Sequence, residues 1–280
     1  MLEPTESRVL AACVQLTSRG DLGENLASAA KWVAAAGRRG AKLVLLPENF
    51  AFLGAHERDK LAVAEVVDAE RPGPILAALG AMARSAGAWV IAGGMPERAT
   101  AEGKVWNSCL VVDASGRLVA RYRKVHLFDV NIPGAAVFEE SRTVERGNEL
   151  VVVETPWGGV GLSICYDLRF PELYRALVDR GARIVVVPAA FTAHTGKDHW
   201  HPLLRARAIE NQLFVLAAAQ VGRHHEGRAT YGHSLVVDPW GAVLAEAPDR
   251  EGIVVAELDL GEQERVRREL PCLAHRRGLI

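Results

Sequence analysis

The chain has 280 residues, 49% of them apolar and 24% charged, so it can bury a substantial core without help from disulfides. Its 33 basic and 34 acidic side chains nearly cancel and the sequence pI is about 6.8, which leaves no whole-protein field to favour nucleic acid or an anionic membrane. The opening residues carry acids where a secretory signal would carry a basic flank, and nowhere do 18 apolar residues run together, so a cytoplasmic chain without a membrane span is expected.

Short β-branched runs alternate with longer amphipathic stretches, which predicts an α/β fold. In chain order, strands are expected over 9–15, 42–46, 89–93 and 108–113, with helices over 25–38 and 74–86 among them. Further strands are expected over 150–154, 160–164, 183–187, 213–219, 234–238 and 252–257, with helices over 171–180, 203–211 and 261–269. No low-complexity linker interrupts this pattern, so a single domain over 1–280 is expected, with its core over about 8–260.

One internal echo bears on the architecture. The run Ser108-Cys-Leu-Val-Val-Asp113-Ala-Ser-Gly116 returns as Ser234-Leu-Val-Val-Asp238-Pro-Trp-Gly241. Both read as hairpins turned by Asp-x-x-Gly. Upstream of each lies an apolar strand closed by a proline, Pro47 in the first half and Pro188 in the second. Two similar α/β units are expected, packed sheet to sheet with helices outside.

The four cysteines, at 13, 109, 165 and 272, form no C-x-x-C pair, which argues against a disulfide framework or a structural zinc site. Cys13 and Cys109 lie within apolar runs and read as inert core residues. Cys165 is different. In Val160-Gly-Leu-Ser-Ile-Cys165-Tyr166-Asp-Leu-Arg169-Phe-Pro171 a strand ends at the thiol and polar residues follow at once, the layout of a sharp strand-to-helix turn that exposes a nucleophile. The following helix N-terminus is expected to favour its thiolate.

Two other strand ends carry chemistry. Glu48 follows the stop at Pro47, where open α/β sheets place their sites. Lys124, in Arg121-Tyr-Arg-Lys124-Val-His126, is one of six lysines against 27 arginines, so a specific need for an amine is plausible. Taken singly, a solvated glutamate and a surface charge run are the competing readings. Taken together, the three residues supply a nucleophile, a base and a cation for attack on an amide or nitrile carbon, with no metal or other cofactor required.

These segments, with the flanking Asn49-Phe50, His126-Leu-Phe-Asp129 and Arg169-Phe-Pro-Glu172, resemble the Glu-Lys-Cys triad of the nitrilase superfamily of carbon–nitrogen hydrolases. The resemblance runs from about Val9 to the C-terminus. Within the superfamily the chain is similar to the Nit branch, on Leu204-Arg-Ala-Arg-Ala-Ile-Glu210-Asn-Gln212, on Gln220-Val-Gly-Arg-His-His225-Glu226 and on Tyr231-Gly-His233-Ser. It implies a four-layer α-β-β-α sandwich with Glu48 as general base, Lys124 as oxyanion partner and Cys165 as nucleophile. A second glutamate, Glu140, would orient the lysine, and the backbone N–H of Tyr166 would share the oxyanion hole. Arg169, in the first turn of the helix after the nucleophile, would hold a substrate carboxylate together with Phe191 and Thr195. The implied substrate is a small carboxylate-bearing amide: deaminated glutathione first, α-ketoglutaramate as the alternative. The resemblance further implies a homodimer with residues 261–280 at its interface, and no nucleic-acid or membrane partner.

One stretch departs from the family pattern. Where the family has Gly-Pro-Ala-His-Trp-Glu, this chain has Gly196-Lys-Asp-His199-Trp200-His201-Pro202, which bears on the pocket wall that carries Thr195. Histidines 194, 199 and 201 with Asp198 suggest a zinc hydrolase, but His199 and His201 lack the i, i+4 spacing that sets two ligands on one helix face. A papain-like Cys/His pair would use His126 or His233 and leave Lys124 and the glutamates unexplained. A non-catalytic sensor of small amides would have no need of a nucleophile.

Overall fold

The structure is a computed structural model and describes residues 6–131, 137–225 and 227–277. Its first half runs β1 (Arg8–Gln15), α1 (Leu22–Arg38), β2 (Leu43–Leu46), α2 (Pro74–Ala86), β3 (Trp89–Arg98), β4 (Val105–Val112) and β5 (Leu118–Arg123). A small ribbon, β6 (Asp129–Asn131) and β7 (Val137–Glu139), leads to β8 (Val152–Thr155), β9 (Gly158–Leu162), α3 (Pro171–Asp179), β10 (Ala182–Val186), α4 (Ala193–Asn211) and β11 (Phe214–Ala217). A second ribbon, β12 (Val221–His225) with β13 (Arg228–Tyr231), precedes β14 (Leu235–Val237), β15 (Val243–Glu246), β16 (Gly252–Asp259) and α5 (Leu260–Glu269).

Two six-stranded sheets result, ordered β16-β1-β2-β3-β4-β5 and β8-β9-β10-β11-β14-β15. In each, three parallel strands are flanked by antiparallel neighbours, and the hairpin β4–β5 takes the place that β14–β15 takes in the other. The echoed turns are built alike. Asp113 Oδ1 accepts from the N–H groups of Ser115 and Arg117, while Asp238 Oδ1 accepts from those of Trp240 and Ala242. Gly116 and Gly241 take the positive φ values of +85° and +89° that close each turn.

Alternation along the strands explains the layering. Leu43 and Leu45 of β2 join a core with Val160, Ile184 and Val215 of the facing sheet, while Val44 and Leu46 pack on Ala29 and Val33 of α1 and Leu79 of α2. Every residue of β2 is buried, as a strand covered on both faces must be. The helices lie outside, giving the expected four layers. α1 starts at Leu22, three residues before its expected start, because the Asp21 side chain accepts from Glu24 N–H and caps it. α2 has the expected bounds, from Pro74 at its first turn to a left-handed Gly87 after its last.

The largest correction concerns α4, expected to start at 203 and found to start at Ala193. The polar run through Pro202 reads as a loop, yet Thr192 caps the helix by accepting from Thr195 N–H, and Gly196, Trp200, Leu204 and Ala208 form a buried stripe at four-residue spacing. Gly196 is needed there: an added Cβ would lie 2.3 Å from Cβ of Tyr231. Strand bounds shift by smaller amounts. β3 extends five residues beyond its expected end, to Arg98, and β9 ends at Leu162, two residues before its expected end at 164.

α5 packs on its own chain. Gln263 is fully buried and donates to the carbonyls of Arg183 and Gln212. No described helix is long and apolar enough to cross a membrane.

Candidate active site

Glu48, Lys124, Cys165 and Glu140, far apart in sequence, come together in one pocket where the ends of β2, β5 and β9 meet. Each sits just past the end of a strand. Asn49 after Glu48, and Cys165 itself, adopt left-handed conformations with φ of +59° and +48°. In non-glycine residues such backbones persist where the surroundings hold them, and they cluster at functional sites. Here the Cys165 N–H donates to Pro188 O, and the Asn49 N–H donates to Gly94 O.

Lys124 is 2% exposed, and its ammonium donates to Glu48 Oε1 at 2.9 Å and to both Glu140 oxygens at 3.1 and 2.9 Å. Burial alone would push its pKa down, but the two carboxylates outweigh that and hold it well above the ordinary lysine value. Burial works against ionised Glu140 as well; Lys124, helped by the Phe128 N–H at 2.7 Å, holds that carboxyl below its usual range. Glu48 is fixed at both oxygens. Oε1 accepts from Lys124 and from Asn107 Nδ2 at 2.9 Å, and Oε2 accepts from the Ala190 N–H at 2.9 Å. Its backbone carbonyl accepts from Gln220 Nε2.

The thiol departs from expectation. A short 3-10 turn, Cys165–Arg169, separates it from α3, which begins only at Pro171. Burial pushes the Cys165 pKa up, the neighbouring Glu48 carboxylate adds to the rise, and Lys124 opposes it. Burial and the adjacent Glu48 thus favour the protonated form of the sulfur. Cys13 and Cys109 are fully buried in the core, as expected of inert residues.

Three parts of the site were not anticipated. Asn107 bridges the glutamates, donating to Glu48 and, at 3.1 Å, to Glu140. It fits only because residue 94 is glycine, where a Cβ would lie 1.5 Å from Asn107 Oδ1. Asp167, fully buried, joins the two halves: it accepts from Ile164 N–H at the elbow, from Tyr122 Oη at 2.7 Å and from His126 N–H at 3.0 Å. The backbone N–H of Ala190 is the third. Asn107 sits in a largely apolar strand and the Ala190 amide has no side-chain signature. Asp167 had a signal, as the first acid after Cys165.

Arg169 lies at the end of the 3-10 turn and lines the pocket, its guanidinium 5.0 Å from the Phe191 ring centre and 5.9 Å from that of Tyr166. It bonds to His199 at 3.2 Å, and among the described residues it makes no ion pair with Glu172. Phe191, Thr195 and Tyr166 line the same pocket, as do Lys60 and Arg228, which share Glu57. The space amounts to about 790 Å³, its open mouth included. Lys197, His201 and Pro202, the departures in the 196–202 run, stay outside the lining. Histidines 194 and 199 are exposed and do not gather with His201, and neither His126 nor His233 lines the pocket. Glu226 lies outside the described residues.

Comparison with known proteins bears on the family and the fold. Residues 10–268 match the family model of the carbon–nitrogen hydrolases. A deaminated glutathione amidase from Synechocystis sp. is 47% identical over 270 residues, 95% of this chain and 97% of that protein. The crystal structure of the C. elegans NitFhit protein superposes with a TM-score of 0.90 at 41% identity, over 97% of this chain and 65% of that one. That of Saccharomyces cerevisiae Nit3, a member of branch 10 of the nitrilase superfamily, gives 0.86 at 33% identity, over 96% of this chain and 97% of that one.

Proposed function

The chain belongs to the carbon–nitrogen hydrolase family, and from that premise we propose that it is a thiol amidase of deaminated glutathione. It hydrolyses carbon–nitrogen bonds other than peptide bonds. The observation that carries the finer reading is the grouping of Cys165, Glu48 and Lys124 beside a half-buried arginine in one pocket. Cys165 Sγ attacks the amide carbon while Glu48 accepts the thiol proton. The negative charge that develops on the carbonyl oxygen faces Lys124 and the Tyr166 N–H. Glu48 then delivers the proton to the leaving amine, and a thioester remains on Cys165. Water, deprotonated by Glu48, attacks the thioester; the acid departs and the thiol regains its proton. Glu140 and Asn107 hold Lys124 and Glu48 in register throughout.

Arg169 suits the carboxylate of a 2-oxo acid, since its fork pairs with a carboxylate bidentately, and Phe191 and Thr195 complete that end. α-Ketoglutaramate carries the same acyl group with ammonia as leaving group. The further cations Lys60 and Arg228 in the pocket lining favour the longer substrate, whose leaving dipeptide bears a second carboxylate. Steady-state kinetics on deaminated glutathione, α-ketoglutaramate and simple nitriles test this. The reading requires the highest kcat/KM on deaminated glutathione; a higher value on α-ketoglutaramate makes the chain an ω-amidase. A sensor of small amides would turn over none of the panel.

Single-domain organisation, a cytoplasmic location and a homodimer belong to the same proposal. For the dimer, exposed Ile209 and Trp240, adjoining at Gly241, offer an apolar surface to a second copy in addition to residues 261–280. Sedimentation analysis of the protein and of its Trp240→Ser variant tests that assignment.

A further inference from the structure

His201, one of the departures from the family pattern, turns away from the pocket and meets two groups from other elements. Its Nε2 lies 3.0 Å from Glu246 Oε1 at the end of β15, and His233 Nδ1, from the link between β13 and β14, lies 2.8 Å from the same oxygen. One ligand atom from each of the three residues falls within 4.8 Å of the other two. We propose that His201, His233 and Glu246 form a divalent-metal site, separate from the catalytic centre, that takes zinc or a zinc-like transition ion.

Zinc binds imidazole nitrogen and carboxylate oxygen at about 2.0–2.2 Å, which in tetrahedral geometry sets neighbouring ligand atoms roughly 3.3–3.6 Å apart. The two histidine–carboxylate separations, 3.0 and 2.8 Å, need to open by roughly 0.3–0.8 Å to reach that spacing, and all three ligand atoms already lie within 4.8 Å of one another. Two neutral imidazoles and one carboxylate make a borderline ligand set suited to zinc, cobalt or nickel, and leave the fourth position to water. The side chains are about a quarter to a third exposed, so ion and water can reach them.

The surroundings are those of a supported ligand. His233 Nε2, the nitrogen facing away from the cluster, lies 3.1 Å from Asp249 Oδ1, and a proton held there leaves Nδ1 free to bind a metal. The backbone of His233 is held in a left-handed conformation, φ +55°, and its carbonyl accepts from Trp200 Nε1 at 2.8 Å. The Tyr231 ring lies over the imidazole at 4.4 Å. A metal here ties α4 to the β14–β15 hairpin. α4 also carries Thr195 in its first turn, and Trp200 packs on Phe191, so the tether braces the helix behind the pocket wall while the reacting groups stay free of metal.

The decisive experiment is calorimetric titration of tag-free protein with Zn²⁺, repeated with Co²⁺ and followed by visible absorption. A Cys165→Ala/Cys272→Ser background removes the catalytic and the exposed thiol as competing ligands. The proposal requires one equivalent bound per chain, and Co²⁺ bands of four- or five-coordinate intensity. His201→Gln and Glu246→Gln in that background should each abolish the stoichiometric event. Asp249→Asn should weaken it about tenfold to a hundredfold, as loss of an outer partner does. With both thiols restored, the same His201 and Glu246 variants should keep wild-type turnover, which shows that they fold. Absence of saturable binding makes the cluster a hydrogen-bonded one and overturns the proposal. Binding that survives both substitutions overturns it equally.

Discussion

At the end of β2, Pro47 is followed by Glu48; at the matching end of β10, Pro188 is followed by Ala189 and Ala190. The first half offers a carboxylate and the second a bare backbone amide, and the two meet, Ala190 N–H donating to Glu48 Oε2. The ends of β5 and β15 differ in the same sense. Past β5 stands Lys124, buried between two glutamates; β15 ends in Glu246, a third exposed and hydrogen-bonded to surface histidines. One strand order thus carries two electrostatic regimes. Charges removed from water persist only when paired and hydrogen-bonded, and there each acts on its neighbour with little screening. Charges left at the rim interact weakly and remain free to exchange partners. The chemistry is asymmetric because the first sheet and the β6–β7 ribbon supply the paired charges while the second sheet supplies the thiol and the amide that meets Glu48.

Removing the second sheet's contribution should have the largest effect. Cys165→Ala should lower kcat by several powers of ten, as loss of a covalent nucleophile does, while substrate binding and the thermal midpoint change little. Stopped assays with equilibrium binding on the same variant check this, and turnover within tenfold of wild type would contradict it.

Altering the first sheet's charge comes next. Lys124→Arg keeps the charge but replaces a compact donor with a planar fork that the Glu48–Glu140–Asn107 cage cannot seat. It should retain less than about a tenth of wild-type kcat, a barrier increase of more than about 1.4 kcal/mol. A variant as active as wild type would show that Lys124 contributes only positive field.

Arg169→Ala sharpens the comparison, because Arg169 belongs to the second sheet yet should govern selectivity. It should lower kcat/KM about ten- to a hundredfold on amides that carry the carboxylate and leave matched neutral amides nearly unchanged. Equal losses on both would assign Arg169 to holding the elbow. Reaction of Cys165 with a small neutral alkylating reagent should be unaffected.

The smallest effect lies in the β12–β13 ribbon. Burial lowers the pKa of His224 from 6.5 to about 4, and its ring bonds to Ser18 O and Thr230 Oγ1. Between those two values the unfolded chain binds a proton that the folded chain does not. Stability is therefore lost as pH falls through that window, and it is restored above about 6.5. Urea midpoints measured from pH 7 to pH 4 should fall less steeply in His224→Gln than in wild type.

Much of this was legible because strand ends and turns have local chemistry. Pro47 and Pro188 mark where strands stop, Asp113 and Asp238 with their glycines mark equivalent hairpins, and Glu48, Lys124 and Cys165 stand just past strands. What was hidden depends on tertiary contact. α4 begins ten residues before its expected start because its exposed face is polar while its buried face is a narrow stripe from Gly196 to Ala208. Asn107 is one of two adjacent polar residues, with Ser108, in a largely apolar strand, and its role exists only once Glu48 and Glu140 lie on either side. The thiol's raised pKa follows from burial beside Glu48, which overrides any helix-terminus effect that the linear order suggests.

The central claim is that both sheets build one covalent acyl-enzyme at Cys165, and product partitioning tests it most directly. Deaminated glutathione and α-ketoglutaramate differ only in the amine they release, so both must pass through the same thioester. With hydroxylamine added as a competing nucleophile, the ratio of hydroxamate to free acid should be identical for the two substrates at every hydroxylamine concentration. A ratio that depends on the leaving group, or turnover that yields no hydroxamate from either substrate, would contradict a shared thioester on Cys165.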